Sequence, residues 1–111
     1  MTSHPFLVIY DPDAVLELEE LSSRQERKAT FTAVDKLRRL GERLPPPHMK
    51  PLQGEPGLLE LRPRQGNSPV RPIYARLEQG FVILAFSTKP DKAGFARAVI
   101  AAHRRLRQYR P

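Results

Sequence analysis

Four arginines lie on or directly beside runs that we expect to be neighbouring strands of a small sheet, and two lysines follow the last of these runs. Adjacent strands bring such side chains close together, so the sequence predicts one positive face on the sheet. A positive face of this kind binds phosphate groups, because arginine presents a planar fork of donors. For each cation the alternative is an ordinary solvated surface residue. The six residues are Arg62, Arg64, Arg71, Arg76, Lys89 and Lys92.

The positive charge is concentrated in the second part of the chain. Residues 1–44 hold seven lysines and arginines against eight acidic residues, whereas residues 45–111 hold twelve against four. The net charge of +7 therefore comes from the second part, which indicates a polyanion or an acidic partner for that part. Nucleic acid is the commonest such partner.

The composition excludes several classes of site. The chain has no cysteine, so disulfides and cysteine-based zinc sites are excluded. Its three histidines, His4, His48 and His103, are too scattered to form a metal set, and we expect neither a metal nor a cofactor. No apolar run is long enough to span a bilayer, and the run 6–10 is too short for a signal peptide. The simplest expectation is a cytoplasmic protein with one domain over residues 1–111 and no membrane partner.

Three short runs in the middle of the chain predict the antiparallel strands that carry the cations. They cover residues 58–62, 70–77 and 81–86, and each is bounded by glycine, proline, asparagine or serine. Residues 78–80 predict a short hairpin loop, and residues 64–69 predict a wider polar turn. The run 81–86 does not alternate, which indicates a central strand covered on both faces. A helix fragment is the alternative, but the hairpin signal before the run argues against it.

The first part of the chain predicts one strand and two helices. Residues 6–10 read as a strand, and Asp11 and Pro12 supply an N-cap and a first-turn proline for a helix over 13–21. Ser23 and Glu26 match a capping box that starts a second helix, which Gly41 ends. Each helix should turn one apolar stripe inward. These stripes are Val15, Leu18 and either Leu16 or Leu21 on the first helix, and Phe31, Ala33, Val34, Leu37 and Leu40 on the second.

A basic helix closes the chain after an irregular stretch over 44–56. The prolines at 45–47 and 51 keep that stretch open. From Asp91 onward the apolar spacing is helical, and we expect this stripe to pack on the sheet, with cover by a partner as the alternative. The sequence therefore predicts an α+β fold, in which a helical hairpin over 13–41 packs on a three- or four-stranded, mostly antiparallel sheet. The stripe of the last helix is Phe95, Val99, Ala102, Leu106 and Tyr109.

Five ordered segments resemble the RelE/ParE toxin superfamily, and specifically its HigB-like, phage-derived branch. Residues 50–54 (KPLQG) resemble K-x-L-x-G, and residues 57–62 (GLLELR) resemble G-L-Y-E-L-R. Residues 70–74 (VRPIY) resemble Y-R-V-L-Y, and residues 82–86 (VILAF) resemble I-V-L-L-H-G-F. Residues 105–109 (RLRQY) resemble the helix ending R-L-K-E-Y, so the resemblance covers about residues 6–109.

Two departures from the family pattern carry expectations of their own. Residues 88–92 (TKPDK) stand where the family has the lysine-rich K-K-x-x-K-T-P, which leaves a reduced catalytic set as an alternative. Pro72 falls inside a predicted strand and predicts a bulge or an edge there.

The resemblance implies a ribosome-dependent mRNA endonuclease that needs no metal and is neutralised by a cognate helix-turn-helix antitoxin, in a possible toxin–antitoxin heterotetramer. In that chemistry the RNA 2′-hydroxyl attacks the adjacent phosphorus and the 5′ oxygen leaves. Arg71 and Arg62 are expected to stabilise charge on the phosphorane, because both lie on family-matching strands. Glu60 is a candidate base, with an ion pair to Arg62 or Arg71 as its alternative role. Lys89 is a candidate phosphate binder, or a base if its pKa is strongly lowered.

Further residues are candidates for binding RNA or assisting the reaction. Tyr74 would stack on a base or orient a phosphate, and a core tyrosine is the alternative. His48 would act as an acid if its loop folds over the sheet. Arg71→Ala should abolish toxicity and, if the Arg71 side chain projects to solvent, should cost less than about 1 kcal/mol of stability. The remaining RNA-binding candidates are Arg64, Arg76, Lys92, Arg104 and Arg105.

Two other functions remain open on the sequence. One is a ParE-like inhibitor that binds DNA gyrase and catalyses nothing, and the family-matching strand motifs favour the nuclease over it. The other is a non-enzymatic basic module that binds nucleic acid or ribosomes. Ribosome-dependent mRNA cleavage distinguishes the first function from both alternatives, and a DNA supercoiling assay identifies the gyrase inhibitor.

Overall fold

A five-stranded sheet holds the cation-bearing strands next to one another. The computed structural model describes residues 5–88 and 91–110. The elements are, in chain order, β1 (Leu7–Tyr10), α1 (Pro12–Glu19), α2 (Arg24–Leu40), β2 (Met49–Pro51), β3 (Leu59–Leu61), β4 (Arg71–Leu77), β5 (Gly80–Ser87) and α3 (Lys92–Leu106).

The strand order across the sheet is β1-β5-β4-β3-β2. β1 runs parallel to β5, and the other neighbours are antiparallel. The predicted α+β class is confirmed, with one strand more than expected. Gly80 allows β1 to approach closely, since a Cβ on it would lie 2.2 Å from the Leu7 carbonyl oxygen.

The sheet is covered on both faces. Phe81 and Ile83 of β5 belong to a buried cluster with α1 and α2, whereas Val82 and Leu84 belong to a second cluster with α3. Successive residues of a strand point to opposite faces, so the helical hairpin and α3 lie on opposite sides of the sheet. Every residue from 81 to 87 is buried, which confirms the predicted central strand.

The helix boundaries follow the predicted caps. The Asp11 carboxylate accepts a hydrogen bond from the Asp13 N–H (2.9 Å), and the Ser23 hydroxyl accepts one from the Glu26 N–H (3.2 Å). Gly41 ends α2 with φ +56°, and a Cβ there would lie 2.6 Å from the Phe6 ring, so the position requires glycine. α1 ends at Glu19, two residues before the predicted end.

One member of the predicted α2 stripe faces solvent. Phe31 is 49% exposed, whereas Thr30 is fully buried in its place. The Thr30 hydroxyl donates to the Glu26 carbonyl (2.9 Å), so this polar residue is satisfied within its own helix and can enter the core. The prediction for Phe31 is therefore wrong, while those for Ala33, Val34 and Leu37 are confirmed.

The stretch predicted to be irregular contains the extra strand. β2 pairs with β3 through Met49 and Leu61, and it is an edge strand of three residues. Its formation depends on that pairing and not on local propensity, because prolines flank and end it. In β4 the ladder with β5 shifts register between Ile73 and Tyr74, one residue after Pro72, which confirms the predicted bulge.

Two further observations concern the lengths of the helices and the grouping of acidic residues and histidines. None of the helices in residues 5–88 and 91–110 is both long and apolar enough to cross a membrane. Within the same residues no three histidine, aspartate or glutamate side chains are grouped so as to hold a metal ion.

Candidate nucleic-acid interface

A cleft of about 300 Å³ opens where β3 ends, β4 begins and α3 starts. Strand register places Arg71 opposite Ser87, and Glu60 lies opposite Ile73 in the same sheet. Asp91 caps α3 by accepting the Gly94 N–H, which fixes the start of the helix beside these strands. We call this site the Arg71 cleft, and its lining is Glu60, Pro69, Arg71, Ser87, Asp91, Lys92 and Phe95.

Arg71 is held in the cleft by the backbone of the β3–β4 connection. Its Nη1 donates to the Ser68 carbonyl (2.7 Å), and its Nη2 donates to the Gly66 carbonyl (2.9 Å). Three of its five N–H groups make no hydrogen bond among the described residues and are available to a ligand. Arg71 is thus half-buried and anchored by two backbone carbonyls, so it does not project freely to solvent, which was the condition for a small stability cost of Arg71→Ala.

The pKa of Arg71 is set by its burial and by two charged neighbours, Arg62 and Glu60. Burial lowers the pKa of Arg71, the nearby Arg62 lowers it further, and Glu60 opposes both effects. Glu60 is 5% exposed, and Oε1 of its carboxylate lies 3.2 Å from Nη1 of Arg62. Glu60 therefore forms the ion pair with Arg62 that the sequence offered as its alternative role. Its use as a base stays a prediction.

Lys92 brings a further cation into the Arg71 cleft. It is the first residue of α3, and its side chain lines the cleft together with Arg71 and Glu60. Lys89 lies outside the described residues. The cleft therefore joins three of the predicted site residues directly and Arg62 through its ion pair with Glu60.

A second, smaller opening of about 260 Å³ lies between α2 and the β3–β4 connection. His48 and Arg64 line it, together with Arg62 and Pro63. The main-chain N–H of Arg62 donates to the His48 carbonyl (2.9 Å), which ties the two segments together. We call it the α2 groove, and the α2 residues that line it are Gln25, Lys28, Ala29, Thr32, Ala33 and Lys36.

Two of the predicted RNA-binding residues are buried. Tyr74 is 2% exposed, and its ring lies edge-on to Phe81 with ring centres 5.9 Å apart. Burial raises the pKa of Tyr74. Arg105 is 8% exposed and donates to the Leu84 carbonyl (2.8 Å) and to Glu17 (2.8 Å). Tyr74 therefore has the core role that the sequence offered as its alternative. Arg105 is buried by its contacts within the protein, so its position does not support the predicted contact with RNA.

Two other candidates lie apart from both sites. Arg76 forms an ion pair with Glu42, and its carbonyl accepts a hydrogen bond from Arg110. Arg104 is exposed on α3 and lines neither the Arg71 cleft nor the α2 groove. Their contact with RNA stays a prediction.

Sequence reasoning missed the lysines of the α2 groove. Lys28 and Lys36 are spaced by two helical turns on α2, with Thr32 between them, which puts all three on one face. That spacing was available as a signal. The segment that faces them, residues 62–64, became apparent only from the fold.

Comparisons with known proteins place these sites within a recognised family. Residues 17–107 match the model of the family described as phage-derived protein Gp49-like (DUF891), and the chain belongs to that family. A double arginine-to-alanine mutant of the E. coli toxin RelE in the free state has a similar fold, with a TM-score of 0.64 and 16% sequence identity. The match covers 86% of this chain and 96% of that one. A search of curated proteins found no match.

The likeness to RelE at this identity establishes the fold, and the matched range contains both the Arg71 cleft and the α2 groove. The predicted resemblance to the RelE/ParE superfamily and its phage-derived branch is confirmed for family and fold.

Proposed function

We propose that this protein is a RelE-like toxin that cleaves mRNA on the ribosome and so inhibits translation. Family and fold support a toxin of this type. The observation that carries the nuclease function is the anchored Arg71 guanidinium, which shares a cleft with Lys92 and adjoins Arg62. Preorganised cations of this kind stabilise the charge that develops during phosphoryl transfer.

In the proposed reaction a new bond forms between the RNA 2′ oxygen and the adjacent phosphorus. The bond from phosphorus to the 5′ oxygen breaks, which leaves a 2′,3′-cyclic phosphate and a 5′-hydroxyl. Arg71 and Lys92 bind the phosphate oxygens, and Glu60 holds Arg62 beside them. The 2′-hydroxyl proton passes to a base and the 5′ oxygen receives a proton, so the reaction needs no metal or redox partner.

Two residues remain candidates for the base. Glu60 lines the Arg71 cleft, where its carboxylate pairs with Arg62. Lys89 lies between Ser87 and Lys92 in sequence, outside the described residues. Separate Glu60→Gln and Lys89→Met variants distinguish them, because only loss of the base removes the rising limb of the pH–rate profile.

The test of the proposed function compares Arg71 with an exposed arginine that is not a site candidate. In a translating extract, Arg71→Ala should lower the rate of mRNA cleavage about a hundredfold to a thousandfold, the usual cost of losing one preorganised donor. Arg39→Ala is the control, because Arg39 is exposed on α2 and lines neither site. Cleavage should stop when ribosomes are omitted. Full activity of Arg71→Ala would contradict the proposal, and inhibition of DNA supercoiling without RNA cleavage would replace it with gyrase binding.

The resemblance also supports a cognate helix-turn-helix antitoxin as the partner, in a toxin–antitoxin heterotetramer. Co-expression of that antitoxin should restore growth to cells that express this toxin, and the two proteins should copurify. If this toxin still arrests growth when the helix-turn-helix protein is co-expressed, that protein is not its antitoxin.

A further inference from the structure

We infer that the α2 groove binds a nucleotide further along the same RNA strand that is cleaved in the Arg71 cleft. This inference rests on the proposed function and assigns a ligand to a surface that lies across the β3–β4 connection from the cleft. The groove combines uncompensated cations at its rim with an apolar floor and is joined to the cleft through Arg62.

The rim of the groove carries an excess of positive charge. Within the described residues Lys28 and Lys36 make no ion pair, so their charges are free to bind phosphate. Arg62 is paired with Glu60, and Nη1 of Arg64 lies 3.5 Å from Oε1 of Glu26. The two lysines are therefore the main electrostatic attraction for a polyanion, and the two arginines are held in place by carboxylates.

The floor of the groove suits a flat, apolar group. Ala29 and Ala33 of α2 and Pro63 of the β3–β4 connection line it with apolar surface, and the half-buried His48 lines it as well. RNA-binding proteins commonly hold unstacked bases against histidine or apolar side chains while cations hold the backbone. A nucleotide satisfies both features of the groove, with its base on the floor and its phosphates at the rim.

The connection that separates the two sites also joins them. The carbonyls of Gly66 and Ser68 accept hydrogen bonds from Arg71 on the side of the cleft. Pro63 and Arg64 of the same connection line the groove. Arg64 and the next residue, Gln65, both adopt left-handed backbone conformations (φ 55° and 56°), which residues with side chains rarely do. This local strain accompanies the turn that presents Arg64 to the groove.

Fluorescence anisotropy with uncleavable 2′-O-methyl oligoribonucleotides tests the inference. An octanucleotide can reach both sites, whereas a trinucleotide fills only the Arg71 cleft. The double variant Lys28→Ala/Lys36→Ala should weaken octanucleotide binding and reduce the slope of log K against log salt by about 1.4, since each single-strand phosphate contact contributes about 0.7. Alanine favours helix, so α2 should remain folded.

Two further variants separate contact from general charge. Arg39→Ala/Arg43→Ala removes the same charge from exposed positions outside the groove and should leave the slope unchanged. Ala29→Leu narrows the groove without altering charge and should weaken octanucleotide binding at an unchanged slope. None of these variants should affect binding of the trinucleotide.

Several results would overturn the inference. The first is that the wild type binds no RNA detectably, and the second is that the lysine double variant binds the octanucleotide as tightly as the wild type does. The third is that the Arg39/Arg43 control loses as much octanucleotide affinity as the lysine double variant. The fourth is that the lysine double variant loses as much affinity for the trinucleotide as for the octanucleotide. An octaglutamate peptide that binds as tightly and loses affinity in the same variants would assign the groove to an acidic peptide instead.

The test separates the groove from the proposed function. Normal mRNA cleavage by the wild type with unchanged octanucleotide binding in the lysine variants would remove only the groove inference. If those variants lose octanucleotide binding but the wild type cleaves no mRNA, the groove inference stands and only the nuclease function is contradicted.

Discussion

Arg71 and Arg105 both donate to backbone carbonyls, but their charges are balanced in different ways. Nη2 of Arg105 lies 2.8 Å from Oε2 of Glu17. Its Nε lies 3.8 Å from Oδ2 of Asp13 and 4.0 Å from Oδ1 of Asp11. Burial lowers the pKa of Arg105, but the Glu17 hydrogen bond and the three carboxylate charges outweigh burial and raise it. Arg71 instead has neutral carbonyls as its hydrogen-bond partners.

The difference shows how one residue type serves structure in one place and suits the proposed phosphate binding in another. The positive charge of an arginine surrounded by carboxylates is neutralised by them, and removing the arginine leaves those carboxylates without a cation. An arginine held by neutral carbonyls is equally well oriented but keeps its positive charge for an anion. Arg62 is intermediate between the structural and the ligand-binding case. Its charge is neutralised by Glu60, but its side chain still lines the α2 groove.

The largest expected effect is on stability, at Arg105. Arg105→Ala leaves the buried carboxylate of Asp11 and the partly exposed carboxylate of Glu17 without their cation. Breaking a buried ion pair by removing one partner costs about 3–5 kcal/mol, and because Glu17 is partly exposed we expect a loss at the lower end of that range. Urea denaturation measures this loss in the free energy of unfolding. Arg104→Ala is the matched control on the exposed side of α3, and surface substitutions of this kind usually change stability by less than about 0.5 kcal/mol. Equal losses in the two variants would mean that the carboxylates around Arg105 do not depend on it.

The sequence could predict the features that depend on local signals. The unbroken apolar run at 81–86 predicts a strand buried on both faces, and the caps at Asp11, Ser23 and Gly41 define helix ends. Each of these features is set by residues close together in the chain. The order of the elements and the α+β class follow from them.

The sequence could not predict features that depend on residues far apart in the chain. Arg105 was assigned to RNA because it lies in a basic helix, whereas its three acidic partners lie in or next to α1. Tyr74 was assigned to a ligand because of its motif, but the packing of Phe81 beside it buries the ring. In the candidate site, Arg71 was predicted as a charge stabiliser, which stays a prediction, while its carbonyl anchors were not foreseen.

The next prediction tests whether Arg71 needs its forked geometry or only its charge. Arg71→Lys keeps the charge, but one ammonium cannot reach both carbonyls and also present a planar pair of donors. Loss of one hydrogen bond to a charged group is worth about 1.5–3 kcal/mol, so cleavage in a translating extract should fall about ten- to a hundredfold. Arg39→Lys, at an exposed position outside both sites, serves as the control and should cleave normally. A fully active Arg71→Lys would show that net charge alone suffices.

A smaller effect should come from Tyr109, whose hydroxyl donates to Asp11 (3.0 Å) at the edge of the Arg105 cluster. Tyr109→Phe should lower the free energy of unfolding by about 1 kcal/mol, the usual net value of one hydrogen bond. Because Tyr109 and Arg105 share Asp11, Tyr109→Phe and Arg105→Ala should be non-additive in a double-mutant cycle. Tyr109→Phe and Arg71→Lys share no partner and should add within about 0.5 kcal/mol. Coupling of Tyr109 to Arg71 would contradict the separation of the two clusters.

The contribution of Tyr109 should also depend on pH in a defined direction. Burial raises the pKa of Tyr109 above its ordinary value of 10.0, and the hydrogen bond and charge of Asp11, with the charge of Asp13, raise it further. The folded protein therefore keeps the phenol proton to higher pH than the unfolded chain does. The stability from this bond is fully present below about pH 10 and is lost as the pH rises through the folded pKa. The difference in unfolding free energy between the wild type and Tyr109→Phe should thus be constant from pH 7 to 9 and shrink above about pH 10. A difference that grows with pH would show that Tyr109 ionises more readily in the folded state, against the direction set by Asp11.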